Sequence, residues 1–313
     1  MRPPFLPGTK GASIPGLSLP ATRWDHGSMR LSVTGRRAAQ ETPRAVKTFD
    51  HRVLDEDAIL EAKGTTRIAV VIPARDEEET IGAVLRALRP QGVDGSGLID
   101  EILVVDDGSR DTTAEEARRH GARVMSLEGG GKGAAMASGV AASNGDLIAF
   151  LDADVTNTDL HFVPRLVGPL LLDKEVQLVK AFYDRPFEGS ASGGGRVTEL
   201  CARPALELLF PELTEVRQPL AGETAVRRTA LGRLTIERGY RVEMGLLLDV
   251  AHVFGPQAIA QVDLGVRIHR NRPLSELGPM ATEVLGTALE RAQRWGRTIS
   301  VSYTHLRAHE TSL

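Results

Sequence analysis

The sequence predicts an α/β fold, a mostly parallel sheet flanked by helices, on three observations. Short β-branched runs alternate with helix-patterned segments between about residues 55 and 154. Each run closes on a polar turn, the signature of a strand that crosses over through a helix to a parallel neighbour. The chain has 313 residues, 42% of them hydrophobic and 25% charged, which is enough to bury a sizeable core.

Residues 1–47 are rich in Pro, Gly, Ser and Arg, carry eight Lys or Arg against two acids, and show no hydrophobic period. They are expected to form a disordered basic arm, or an untidy extension. "DEDAILEAKG" (55–64) then reads as a short helix closed by Gly64. "RIAVVIPA" (67–74) and "EILVVDDGS" (101–109) are strands, with the helix-patterned "EETIGAVLRAL" between them. "ARVMSL" (122–127) and "DLIAFLDAD" (146–154) supply two further strands around the helix-prone "KGAAMASGVAAS". No internal repeat is visible.

The function classes narrow by exclusion. No apolar run approaches the roughly 18 residues that span a bilayer, so no membrane span is expected. The net charge of −3 argues for no particular partner, and no nucleic acid is expected. The single Cys201 forms no internal disulfide and the N-terminus lacks the apolar stretch of a signal peptide, so a cytoplasmic location is expected.

In open α/β sheets ligands bind beyond the carboxyl ends of the strands. Three of those ends carry acids here: Asp76 and Glu77, Asp106 and Asp107, and Asp152 and Asp154. A lone acid at a strand end is usually a cap or turn residue, but three clusters on one edge repel unless a cation or a set of donors is present. A divalent metal on a diphosphate fits, because Mg²⁺ and Mn²⁺ commonly take one or two carboxylates and leave the remaining positions to phosphate and water. The glycine run "EGGGKGAAM" (128–136) does not redirect this to a dinucleotide or P-loop site, since the first strand turns through "PARDEEE" and "GGGKG" lacks the required spacing.

These stretches, "VVIPARDEEETI", "VVDDGSRDTT", "GKGAAM" and "LDADV", resemble the nucleotide-sugar half of glycosyltransferases of the GT-A type, with a Rossmann-like sheet. Farther on, "LVKAFYDRP", "GGGRVTELCARP", "QPLAGE", "GYRVEMGLLLDV" and "GVRIHRNRPLSELG" are similar to the glucosyl-3-phosphoglycerate synthase family, over about residues 50–295. The resemblance implies a single domain: a nucleotide-sugar-binding half at 48–170, an acceptor-binding half at 171–298 and a disordered or non-native tail at 299–313. It implies a retaining, metal-dependent hexosyltransferase that moves glucose from UDP-glucose to 3-phosphoglycerate, working as a homodimer.

The residue roles it implies follow from the motifs. Pro73, Ala74, Arg75, Asp76, Glu77 and Asp107 would wall the nucleoside, and Lys132, Asp152 and Ala153 would complete the donor site. Tyr240, Arg241, Val242 and Glu243 would stand near the donor sugar, and Mg²⁺ or Mn²⁺ would sit between Asp154 and His269. Glu243 and Asp154 are the candidate catalytic residues. Gly195, Arg196, Val197, Thr198 and Asn271 would hold the acceptor; glycines let backbone N–H groups turn toward an anion and Arg196 adds a planar fork. The chain departs from the family at Arg75, Asp76, Asp107 and Thr224, which bears on donor choice. Mannosyl-3-phosphoglycerate synthase and polyprenyl-phosphate glycosyltransferase chemistry therefore stay open as alternatives, as does a non-catalytic sugar-nucleotide binder.

Overall fold

The computed structural model describes residues 29–34, 46–50, 54–89, 97–185, 195–268 and 274–303. The chain divides into a body, Ser32–Ser300, and a smaller unit of Met1–Leu31 and Val301–Leu313. Strand β1 (Met29–Thr34) belongs to a separate two-stranded sheet with β10 (Thr298–Tyr303). These strands differ from the disorder expected of the arm and tail, and the reason is in their sequences: "MRLSVT" and "TISVSY" both alternate apolar and polar residues with the period of a strand. Apart from these strands and Val46–Lys47, the arm and tail lie outside the described residues.

In the body, β2 (Lys47–Phe49) precedes α1 (Glu56–Lys63), β3 (Ile68–Ala74), α2 (Ile81–Leu88), β4 (Glu101–Asp106), α3 (Thr113–Arg119), β5 (Arg123–Ser126), α4 (Lys132–Ala142) and β6 (Leu147–Phe150). The chain continues through α5 (Phe162–Leu172), β7 (Leu178–Asp184), a π-helical segment at Thr198–Ala202, α6 (Arg203–Leu209) and β8 (Thr224–Arg227). Then come α7 (Arg228–Leu231), α8 (Arg241–Phe254), β9 (Ile259–Val266) and α9 (Leu274–Arg294). The eight-stranded sheet runs β2-β9-β7-β8-β6-β3-β4-β5, and β8 alone is antiparallel to its neighbours β6 and β7.

Residue parity along β3 divides the core. Ile68, Val70 and Ile72 pack with α2 and α5 on one face, and Ala69 and Val71 pack with α4, α8 and α9 on the other. Each fully buried Val or Ile contributes about 1.5–3 kcal/mol. Helix α4 approaches closely because its sequence is nearly all small: a Cβ added at Gly139 would overlap Val71 Cγ1, so any side chain there would push the helix off the sheet. The register pairs Ala74 with Asp106 and Val71 with Phe150. That alignment brings the acid-bearing ends of β3, β4 and β6 to one edge.

Candidate active site

A cleft of about 970 Å³ opens at this edge. Its first wall is the turn after β3, where Asp76 takes a left-handed backbone conformation (φ 56°) uncommon outside glycine, asparagine and aspartate. The turn is held in place by Asp76 N–H donating to Ser109 Oγ at 3.0 Å, Arg110 N–H donating to Asp76 Oδ1 at 2.7 Å and Glu77 N–H donating to Thr113 Oγ1 at 2.8 Å. Asp107, only 4% exposed, accepts the Gly131 N–H at 2.9 Å through Oδ2. Its Oδ1 is buried with no hydrogen-bond partner among the described residues, an acceptor left for a ligand.

Lys132, the first residue of α4, reaches across the cleft. Its ammonium lies 2.6 Å from Asp152 Oδ1 and 2.7 Å from Glu243 Oε1. Burial opposes the charge on Lys132, but the two carboxylates outweigh it and raise its pKa. Burial likewise opposes ionisation of Asp152, and the Lys132 and Arg267 charges prevail, holding its carboxyl well below the usual range. Lys132 and Asp152 are therefore both charged at neutral pH.

Arg267 occupies the floor. Its Nη2 lies 2.7 Å from Asp152 Oδ2 and 3.1 Å from Asp154 Oδ1, and its Nε lies 2.9 Å from Glu223 Oε1. Tyr183 completes the cluster, donating to Glu223 Oε2 at 2.7 Å and accepting from Arg185 Nη2 at 2.7 Å. Gly222 is obligatory beneath it, because a Cβ there would collide with the Asp152 carboxylate. Sequence reasoning passed over Arg267, Glu223 and Arg185, although each lies in a stretch already singled out. The available signal was the acid in "PLAGET", flanked by small apolar residues: a carboxylate in such a setting is buried and needs a cation.

The opposite wall holds Gly195, Arg196, Val197 and Thr198, at the start of the π-helical segment, with Arg185 beside them. Helix α9 closes the side through Glu276, Leu277, Met280, Glu283 and Val284. Of the residues expected in the site, Pro73, Ala74, Arg75, Asp76, Glu77, Asp107, Lys132, Asp152, Ala153, Asp154, Tyr240 and Glu243 line the same cleft. Two neighbours of Glu243 point elsewhere, as the helical period requires. Val242 is fully buried in the core, and Arg241 turns toward Glu237 and Glu290. His269 and Asn271 lie outside the described residues.

The donor set suits a hard divalent cation. Asp154 offers a carboxylate that is 25% exposed at the cleft, with Oδ1 engaged by Arg267. No group of three or more His, Cys, Asp or Glu able to hold a metal occurs among the described residues. A single carboxylate, joined by the phosphates of a ligand and by water, is the arrangement Mg²⁺ and Mn²⁺ accept.

Comparison with known proteins agrees with this geometry. Residues 69–212 match the glycosyl transferase family 2 pattern. The glucosyl-3-phosphoglycerate synthase of Mycolicibacterium paratuberculosis is 49% identical over 245 residues, 74% of each chain. That of Petrotoga mobilis is 42% identical over 250 residues, 76% of this chain and 77% of the other. The Mycobacterium tuberculosis enzyme, solved with Mn²⁺, UDP-glucose and phosphoglyceric acid, superposes with a TM-score of 0.73 at 46% identity, covering 79% of this chain and 88% of the other. The chain belongs to the glucosyl-3-phosphoglycerate synthase family.

Proposed function

We propose that this chain transfers glucose from UDP-glucose to 3-phosphoglycerate, giving glucosyl-3-phosphoglycerate and UDP. The observation that carries the reading is the single cleft in which the Lys132, Asp152 and Glu243 cluster faces Gly195, Arg196 and Thr198. Relatives solved with UDP-glucose and phosphoglyceric acid, and with UDP and glucosyl-3-phosphoglycerate, support both substrates and the product.

In the reaction a bond forms between the acceptor hydroxyl oxygen and the anomeric carbon, the bond from that carbon to the diphosphate breaks, and the hydroxyl proton leaves with the diphosphate. A bound Mg²⁺ or Mn²⁺, held by Asp154 and His269, would neutralise negative charge on the departing diphosphate. Relatives solved with Mn²⁺ and with Mg²⁺ support either metal. Asp152 and Glu243 are tied to Lys132, which makes each a poor nucleophile, so retention by same-face attack fits better than a covalent glycosyl-enzyme. Lys132 adds positive charge beside the leaving group, and Glu243 orients sugar hydroxyls or stabilises positive charge at the sugar. Asp107 Oδ1 is the acceptor offered to the nucleoside. Arg196 pairs with the phosphate or carboxylate of the acceptor.

The division into a donor half (48–170) and an acceptor half (171–298) is supported by the walls of the cleft, with Glu243 crossing over to meet Lys132. A homodimer is supported by Leu285 and Leu289, exposed one turn apart on α9, with Leu200 78% exposed on the neighbouring π-helical segment. A cytoplasmic setting is supported by the lone cysteine, and no helix among the described residues is long and apolar enough to cross a membrane. Purified protein incubated with UDP-glucose, GDP-glucose or GDP-mannose, with and without 3-phosphoglycerate and Mg²⁺, tests the reading. Product only from UDP-glucose with 3-phosphoglycerate is expected; turnover with GDP-mannose alone would replace it. Light scattering of the same sample reports the oligomeric state.

A further inference from the structure

Helix α9 does more than wall the cleft. Glu283 Oε2 accepts the Tyr240 N–H at 2.7 Å, so a carboxylate sits at the N-terminus of α8, whose first turn carries Glu243. The carboxylate also packs on Gly239, where φ is 61° and where a Cβ would collide with it. The turn at 237–240 in turn rests on the start of α4. Gly239 O accepts the Gly133 N–H at 3.2 Å, a Cβ on Gly131 would lie 3.2 Å from Gly239 Cα, and a Cβ on Gly133 would overlap the Glu237 carbonyl oxygen. Arg291, a further two turns along α9, fixes the other end of this turn by donating to Glu237 Oε1 at 2.7 Å. Lys132 lies between Gly131 and Gly133. One turn of chain, pinned from α9, thus sets both partners of the Lys132–Glu243 pair.

We propose that Glu283 is a positioning residue for the transfer reaction, fixing the Lys132–Glu243 pair through the Gly239–Tyr240 backbone. It rests on the reading that this pair serves the donor. The contribution comes from the hydrogen bond at a backbone N–H, which a neutral amide oxygen can also accept, so charge on residue 283 is not required.

The test compares Glu283→Ala, Glu283→Gln and Lys132→Ala in steady-state kinetics, in calorimetric titration of UDP with Mg²⁺ and in thermal unfolding. Glu283→Ala is expected to lower kcat/KM for UDP-glucose by about 10- to 100-fold, the effect of misplacing a group from outside the reacting centre. It should weaken UDP binding, leave KM for 3-phosphoglycerate near its original value and lower the unfolding midpoint by no more than about 4 °C, the worth of roughly one hydrogen bond. Glu283→Gln should return all three close to the starting protein. Unchanged kinetics in Glu283→Ala overturns the proposal, as does a loss that tracks a fall in the folded fraction. If Glu283→Gln is as impaired as Glu283→Ala, the carboxylate acts on the substrate itself and the positioning role is wrong. Lys132→Ala separates the two levels: silence there removes the donor-site reading and this inference with it, whereas a Lys132 effect without a Glu283 effect removes this inference alone.

Discussion

The guanidinium of Arg267 lies 3.1 Å from Asp154 Oδ1, while its far side meets Glu223, a carboxylate with no exposed surface. One buried cation therefore balances acids on two sides, with Asp152 at 2.7 Å as the third. Removing Arg267 leaves the Glu223 carboxylate without its cation where water cannot reach it.

Arg267→Ala should accordingly destabilise the fold, by about 3–5 kcal/mol if it behaves as other broken buried pairs do. Urea unfolding followed by circular dichroism measures this, with an unchanged slope confirming that stability alone has moved. Adding Glu223→Gln to Arg267→Ala should recover part of the loss, because the second orphaned charge is then gone. A double variant no more stable than the single one would show that Glu223 is not the partner that matters.

Asp154 stands differently, since its carboxylate faces the cleft and its loss opens no core cavity. Asp154→Ala should reduce turnover by at least about a hundredfold, the scale of losing several kcal/mol of charge stabilisation. Mn²⁺ bound in the presence of UDP, read by electron paramagnetic resonance, should fall with it, and the unfolding midpoint should hardly change. Chelation should impose the same loss on the unaltered protein, reversed by Mg²⁺ or Mn²⁺. Retained Mn²⁺ binding in Asp154→Ala would move the metal to other ligands.

The strand-end acids could be read from the sequence because each follows directly on a local apolar run, and a parallel sheet sends all such ends to one edge. The same locality made the small-residue helix α4 and the turn "PARDEEE" readable. Arg267 and Glu223 were harder. They lie 44 residues apart, just after β9 and just before β8, and only the insertion of antiparallel β8 between β6 and β7 brings Glu223 to the guanidinium that also holds Asp152. Sequence spacing carries no trace of that insertion. The role of α9 was hidden for the same reason: its contacts at Tyr240 and Glu237 depend on how the last helix of the body docks. Val242 shows the opposite error, in which a residue beside Glu243 was grouped with it although 100° of helical rotation sends its side chain into the core.

Arg196 tests the acceptor side. Charge-assisted hydrogen bonds of about 1.5–3 kcal/mol each predict that Arg196→Ala lowers kcat/KM for 3-phosphoglycerate by about 10- to 100-fold. Lysine should restore only part, because a point charge does not reproduce a planar fork. The apparent affinity for UDP-glucose should stay put, since the donor walls lie across the cleft. Weaker UDP-glucose binding with an unchanged KM for 3-phosphoglycerate would show that "GGGRVTEL" is not an acceptor clamp.

Lys180 supplies a prediction about pH. It is 2% exposed on β7, and its ammonium donates to Ala221 O at 2.5 Å and Thr224 Oγ1 at 3.1 Å. Burial pulls its pKa down to about 8; the Lys132 charge also disfavours the proton, whereas Glu243, Glu223 and Asp152 favour it. The unfolded chain holds the same proton up to about pH 10.4, the ordinary value for lysine. Between these limits the unfolded state binds more protons than the folded one, so this residue makes stability rise with pH. Below pH 8 both states carry the proton and the residue adds no slope. Relative to Lys180→Met, which keeps the length and removes the titration, the protein should gain on the order of 1–2 kcal/mol between pH 8 and pH 10. Urea unfolding at half-unit pH steps on both proteins isolates the difference from every other titrating group they share. A difference that stays flat across that window would mean that Lys180 keeps its proton in the folded state, stabilised by the acids around it more strongly than burial opposes it.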